Sequence, residues 1–113
     1  MRRDDVRLLD MLVSARDAIA FASDLTRDAF DADKKTQYAV SRAIEIIGEA
    51  ASKVSDETRE HHPEIPWREI VGMRTKLAHE YRVIDLDQVW NVVTTQLESL
   101  ITRLKAIVPP EGS

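Results

Sequence analysis

The 113-residue chain contains no cysteine, which excludes disulfide bonds and thiolate chemistry from any account of its function. Glycine and proline are also scarce, at three and four residues, and this scarcity favours long helices over many tight turns. No apolar run approaches the roughly 20 residues that a membrane-spanning helix needs. Near the basic start, charged residues interrupt every apolar stretch: Asp4, Asp5, Asp10, Arg16 and Asp17. We therefore expect a helical cytoplasmic protein with no membrane segment.

An excess of positive charge is missing as well. The 16 Lys and Arg residues are outnumbered by 20 Asp and Glu residues, so the net charge is -4. Because no general attraction to polyphosphate is available, any nucleic acid must be held by a local basic patch. The length predicts a single domain over residues 1–113, with a short flexible tail at about 109–113.

Apolar residues recur at spacings of three and four through most of the chain, as they do in amphipathic helices. This pattern predicts a first helix over about residues 4–25 and a second one around residues 40–54. The connection between them, which holds Phe30, lacks periodicity and is predicted to contain a short turn of helix, and Asp33 is placed to cap the second helix. Gly48 lies inside the second helix, where it indicates either close packing of another backbone or simple tolerance.

Prolines divide the second half of the chain. A short helix ending near His62 precedes the segment 63–66, whose two prolines force an extended break. Pro66 suits the first turn of a third main helix, which we expect to continue through Ala78. The last helix begins after Asp85, whose spacing to Gln88 resembles a capping box.

The last helix carries a heptad seam, because its apolar residues alternate steps of four and three. The seam consists of Leu86, Trp90, Val93, Leu97, Leu100, Leu104 and Ile107. Such a seam packs either in the core of a four-helix bundle or, less commonly, between two chains. Trp67 and Trp90 are expected to fill the core, each with an indole N–H that needs an acceptor. No segment has the alternating pattern of a strand, so we predict an all-α bundle.

Three chemically capable side chains occur within eight residues near the end of the third main helix. Arg74 offers a guanidinium that can hold a phosphate, His79 an imidazole that can transfer protons near neutral pH, and Tyr81 a hydroxyl. On an ideal helix, Arg74 and His79 would point about 140° apart. They can meet if the helix loosens before His79, or if Arg74 of one chain meets His79 of another across a two-fold axis.

The two-fold arrangement suits RNA cleavage by attack of a 2′-hydroxyl on the neighbouring phosphate. That reaction benefits from a base, an acid and positive charge on the phosphorane, and one chain has few proton carriers. The same residues could instead be a helix cap, a cation at a helix C-terminus and a half-buried aromatic. His61 and His62 fit a solvated helix end better than a site.

Glu45 and Glu49, four residues apart on one helical face, could act as a carboxylate pair or could form salt bridges. Glu49, next to Gly48, is the better candidate for a role near a cleft. The chain has no His-x3-His or carboxylate–histidine cluster in its sequence. We therefore expect no required metal and no cofactor.

An ordered series of short motifs resembles the HepT-like toxins of the HEPN superfamily over nearly the whole chain. The motifs are Asp10-Met11-Leu12, Lys35-Thr36-Gln37, Ile46-Ile47-Gly48-Glu49-Ala50, Pro63-Glu64-Ile65-Pro66-Trp67, Arg74-x4-His79-x-Tyr81, Asp85-Leu86 and Val89-Trp90. The resemblance implies a HEPN bundle of four to five up-and-down helices, usually a homodimer with its Arg and His motifs at or near the subunit interface. It also implies a metal-independent RNA endonuclease toxin.

Some members of this family belong to two-gene toxin–antitoxin modules, and the resemblance implies a module of the type VII-like kind for this chain. The antitoxin, MntA, is a minimal nucleotidyltransferase that uses ATP and Mg²⁺ to attach AMP to the motif tyrosine. Carried over to this chain, the resemblance implies that Arg74 binds the scissile phosphate, His79 transfers protons and Tyr81 accepts AMP. Supporting positions would be Glu49, Thr75 and Lys76.

One position departs from the family pattern. Members commonly have Asn directly after the motif Arg, whereas this chain has Thr75, which keeps a hydroxyl but loses the amide.

AMP on Tyr81 would bring a phosphodiester anion into the cleft, where it could occupy Arg74 and repel RNA phosphate. A non-catalytic alternative is a helical dimer that serves as binding partner and AMP acceptor for the transferase.

Overall fold

The computed structural model describes residues 3–77 and 84–109, with the backbone alone for 74–77. Within these ranges the chain is helical and contains no strand, which confirms the all-α prediction. The helices are α1 (Arg3–Ala22), α2 (Arg27–Asp31), α3 (Lys34–Ser52), α4 (Asp56–His61), α5 (Trp67–Leu77), α6 (Leu86–Asn91), a π-helix (Val92–Gln96) and α7 (Leu97–Lys105). No helix of the described part is long and apolar enough to cross a membrane.

Helices α1 and α3 form the centre of the bundle. α1 packs against α3 and α7, and α3 also packs against α5. The apolar spacing of three and four residues places one stripe of each helix in a shared core. Fully buried side chains of this core include Met11, Ala18, Ile44, Ile47 and Leu104.

Helix α1 ends at Ala22, three residues before the predicted end at Leu25, so that boundary was wrong. The reason is a turn, in which the backbone N–H of Ser23 donates to the carbonyl of Ala20 at 3.3 Å. Asp24 then adopts a φ of 66°, in the left-handed region that stops a right-handed helix. The chain can therefore turn from α1 into α2.

The predicted caps of α3 and α6 are confirmed. Asp33 accepts a hydrogen bond from the backbone N–H of Thr36, and Asp85 accepts one from that of Gln88, both at 3.1 Å. Each bond satisfies an N–H that has no partner within its own helix. Helix α5 begins at Trp67, one residue after Pro66. Its predicted end at Ala78 lies outside the described residues.

The sequence predicted one continuous last helix, but in the structure a π-helix separates α6 from α7. The backbone N–H of Leu97 donates to the carbonyl of Val92, five residues earlier. On a regular α-helix these two side chains would point about 140° apart, yet both are fully buried. The wider π turn brings them to the same side. All seven seam residues are buried or half-buried within this chain.

Both tryptophans make defined contacts at the core. The indole N–H of Trp67 donates to the carbonyl of His62 at 3.0 Å, as its burial requires. Trp90 is half-buried against Phe30, with ring centroids 5.1 Å apart. Phe30 is fully buried although it lies in a segment without periodicity, so the sequence pattern missed a major core residue.

Candidate functional site

Helix α5 carries three of the predicted site residues, Arg74, Thr75 and Lys76, on its last two turns. Their side chains, together with His79 and Tyr81 as a whole, lie outside what the structure describes. The predicted meeting of Arg74 with His79 is therefore untested, as is the predicted homodimer.

The first turns of α5 are firmly anchored. Ile70 and Met73 are buried on its inner face, and Trp67 is 8% exposed. Before the helix, Ile65 is buried with 1% exposure, and its carbonyl accepts a 2.8 Å hydrogen bond from the backbone N–H of Trp67. The predicted break at the prolines is present, but the segment is a turn and not extended as predicted, because the backbone N–H of Ile65 donates to the carbonyl of His62 at 3.2 Å.

An open groove of about 480 Å³ lies between α4 and α5. It is lined by Arg59, Glu60, Pro63, Trp67, Arg68 and Val71, and we call it the α4–α5 groove. Position 74 lies seven residues after Trp67, which on an α-helix is 20° short of two full turns and about 10 Å along the axis. The groove therefore runs along α5 towards the side of the helix that holds position 74.

Arg59 is the most constrained charged residue of the groove. Its guanidinium lies 5.9 Å from the centroid of the Trp67 ring, within cation–π range. The same group donates to the carbonyl of Ala51 at 2.8 Å and to that of Val54 at 3.2 Å. Ala51 lies in the last turn of α3, where carbonyls have no partner within the helix. Arg59 therefore joins α4 to the end of α3.

Sequence reasoning missed both arginines of this groove. Arg59 has no local signal, because its acceptors lie five and eight residues earlier and are backbone atoms. Arg68 could have been noticed, since it comes directly after the motif that ends at Trp67. Its side chain is exposed, whereas the neighbouring Trp67 is buried. No carboxylate of the described residues is paired with Arg68.

Glu49 lies on a different surface. It faces a hollow between α1 and α3 that Arg7 and Asp10 also line, and its carboxylate lies 3.7 Å from the ammonium of Lys53. Glu45 pairs in the same way with Arg42, at 3.4 Å. Both carboxylates thus take part in surface salt bridges, which was one of the two arrangements the sequence allowed. Glu49 does not line the α4–α5 groove.

The two adjacent histidines mark the end of α4. The Nδ1 atom of exposed His61 lies 2.7 Å from the carbonyl of Glu57, one turn earlier, and His62 lies 3.5 Å from the carboxylate of Glu64. This agrees with a solvated helix end. In the described part of the chain, no group of three or more His, Cys, Asp or Glu side chains is arranged to hold a metal ion.

Comparison with known proteins identifies the family. A family model described as "Ribonuclease HepT-like" matches residues 11–107, which run from within α1 to beyond α7 and include Arg74, His79 and Tyr81. "Probable ribonuclease HepT" of Thermococcus cleftensis is 43% identical over 95 residues, covering 80% of this chain and 86% of that protein. No solved structure matches the chain.

Two proteins of Methanocaldococcus jannaschii, both with RNase in their names, are also similar. One is 36% identical over 110 residues, covering 96% of this chain and 91% of its own length. The other is 43% identical over 95 residues, covering 82% and 87%. The resemblance read from the sequence motifs is thereby confirmed, and the chain belongs to the HepT-like ribonuclease family.

Proposed function

We propose that this chain is an RNA endonuclease that needs no metal ion, with Arg74 holding the scissile phosphate and His79 transferring protons. The observation that carries the proposal is the family match over residues 11–107, which includes both positions. The name of the Thermococcus cleftensis relative adds support, because it states a ribonuclease. The anchored first turns of α5 give position 74 a rigid base.

The proposed chemistry is a transesterification within the RNA. A base removes the proton of a 2′-hydroxyl, whose oxygen forms a bond to the adjacent phosphorus while the bond from phosphorus to the 5′-oxygen breaks. An acid then gives a proton to that leaving oxygen. The guanidinium of Arg74 would stabilise the charge on the phosphorane. Because His79 is the one histidine near Arg74 in sequence, we propose that two subunits share a cleft and that a second His79 completes the acid–base pair.

The direct test is to incubate the purified protein with RNA in EDTA. We expect cleavage by the wild type and a loss of at least about 100-fold in both Arg74→Ala and His79→Ala, since each removes a group acting in the transition state. Arg42→Ala, which removes the same charge from the α1–α3 surface, should cleave normally. Equal cleavage by all four proteins would mean that another site, or a contaminant, cuts the RNA.

We also propose that the chain is the toxin of a toxin–antitoxin module and is silenced by AMP transfer to Tyr81. The partner would be an MntA-like nucleotidyltransferase. Tyr81→Phe should keep any RNase activity and lose AMP labelling, because the phenol oxygen is the acceptor. Continued labelling of that variant would show that a different hydroxyl accepts AMP. Thr75, Lys76 and Glu49 are proposed as supporting residues.

A second candidate function is a non-catalytic helical dimer that binds the transferase and accepts AMP. The observation that favours it is the net charge of -4, which gives RNA no general attraction. Intact RNA after incubation with the wild type, together with AMP accepted at Tyr81, would support this candidate instead of the nuclease.

The proposed assembly is a homodimer of a single domain over residues 1–113, located in the cytoplasm. Residues 110–113 of the proposed tail lie outside the described part. Sedimentation at tens of micromolar should give a dimer, and a monomer would remove the shared cleft. Limited proteolysis should trim only the tail from about residue 109, and cuts between helices would contradict the single domain.

A further inference from the structure

We propose that the α4–α5 groove holds the single-stranded RNA beside the scissile phosphate, with Arg68 and Arg59 contacting the flanking nucleotides. This inference rests on the proposed ribonuclease function and specifies where its substrate lies. The groove has the size of a small-ligand pocket, at about 480 Å³, and it combines charge with apolar surface.

The first support is charge that the protein does not use internally. The exposed guanidinium of Arg68 pairs with no carboxylate in the described part of the chain. Arg59 directs two of its five N–H bonds at the carbonyls of Ala51 and Val54, which leaves three for a ligand. Against these two cations the groove has one carboxylate, Glu60. The groove is therefore net positive in a chain of net charge -4, which is the local basic patch that an acidic protein needs to bind RNA.

The second support is a flat, rigid surface beside the charges. The Arg59 guanidinium is held against the Trp67 ring and by two hydrogen bonds, so its orientation is fixed before any ligand arrives. Unstacked bases of single-stranded RNA stack on guanidinium planes as well as on aromatic rings. Because Trp67 is only 8% exposed, a base would meet Arg59 and the exposed ring of Pro63 rather than the indole face.

The third support is position. Trp67, Val71 and position 74 lie along one side of α5, where position 74 is about 10 Å along the axis from Trp67 and about 4.5 Å from Val71. A strand that is bound at position 74 and runs towards the start of α5 would reach the groove. By contrast, the hollow between α1 and α3 has its cations close to carboxylates, with Lys53 beside Glu49 and Arg42 beside Glu45. The lining residues of that hollow also sum to one positive charge, but two of its three cations are already paired with carboxylates, whereas Arg68 is not.

Binding and cleavage can be tested separately with a single-stranded RNA carrying 2′-O-methyl groups, which lacks the attacking hydroxyl. We expect Arg68→Ala to weaken binding of this RNA roughly three- to tenfold at low salt and to reduce the slope of log Kd against log salt by about 0.7. Glu60→Gln, which removes the opposing charge, should strengthen binding. Arg42→Ala should leave binding unchanged.

Equal binding by Arg68→Ala, Glu60→Gln and Arg42→Ala would overturn the proposal, whether or not the wild type cleaves unmodified RNA. If Arg68→Ala changes the sedimentation of the protein and leaves RNA binding unchanged, the groove is covered by a second copy of the chain, and the proposal again fails. Failure of the proposed function is a separate result, since it is seen as intact unmodified RNA with the wild type.

Discussion

The two ends of α3 are stabilised by opposite charges and by different parts of the chain. At the N-terminal end, Asp33 accepts hydrogen bonds from the hydroxyl of Thr36 at 2.6 Å and from its backbone N–H at 3.1 Å. At the C-terminal end, Arg59 donates to the carbonyls of Ala51 and Val54. An anion at the N-terminus and a cation at the C-terminus both match the helix dipole.

The two ends differ in how much hydrogen-bonding capacity each charged group has left after it has bound α3. Both carboxylate oxygens of Asp33 are engaged by Thr36, three residues away, so this cap is a local structural device. Arg59 reaches α3 from another helix, lines the α4–α5 groove and uses two of its five N–H bonds for the carbonyls of Ala51 and Val54. A charged side chain can therefore serve structure alone or structure and binding together, according to how much of its hydrogen-bonding capacity the fold takes up.

The largest stability effect expected near these two ends comes from packing. Phe30 lies just before α3, is fully buried and contacts Trp90. Phe30→Ala should lower the free energy of unfolding by about 3–5 kcal/mol, because it removes a large apolar side chain and leaves a cavity. Phe21→Ala, at a side chain 46% exposed, should change it by less than about 1 kcal/mol. Urea unfolding measures both, and similar losses would mean that the N-terminal end is not packed as described.

At the C-terminal end, Arg59→Ala should lower the free energy of unfolding by about 2 kcal/mol. The reason is the loss of two charge-assisted hydrogen bonds, which leaves the carbonyl of Val54 without its donor, while the carbonyl of Ala51 keeps the backbone N–H of Val54 at 3.2 Å. Arg59→Lys keeps the charge but cannot reach both carbonyls with one planar fork, so it should recover only part of the loss. Full recovery by lysine in urea unfolding would show that charge alone, and not the fork, holds this end.

The Asp33 cap should give the smallest effect, visible through its pH dependence. The hydrogen bond from the Thr36 hydroxyl, followed by that from its backbone N–H, lowers the pKa of the Asp33 carboxyl below its usual value. Because the pKa is lower in the folded state, the stabilisation is present above the ordinary pKa of an aspartate and is lost as pH falls through the folded value.

Asp33→Asn can still cap the helix but does not titrate in this range. The stability difference between wild type and Asp33→Asn should therefore shrink as pH falls below about 4. Denaturant unfolding from pH 6 to pH 3 measures this difference. A difference that stays constant over that range would contradict the assigned hydrogen bonds.

The local cap and the distant contacts also show how far the sequence predicts this structure. Asp33 and Asp85 were predicted as caps because a cap acts over three residues. Phe30, Arg59 and the π turn were missed because each depends on a tertiary partner: Trp90, the end of α3, and the joint burial of Val92 with Leu97. Of the predicted site, the structure describes only the helical backbone under Arg74, Thr75 and Lys76 and the position of Glu49.

The central claim is that the chain cuts RNA by activating a 2′-hydroxyl of the RNA itself. The chemistry of the product ends tests this claim most directly. Incubation with RNA in EDTA should yield fragments that end in a 2′,3′-cyclic phosphate and begin with a 5′-hydroxyl. An RNA with a single 2′-deoxy nucleotide at a cleavage position should stay intact at that bond. Cleavage at the deoxy position, or products with 5′-phosphates, would contradict the claim.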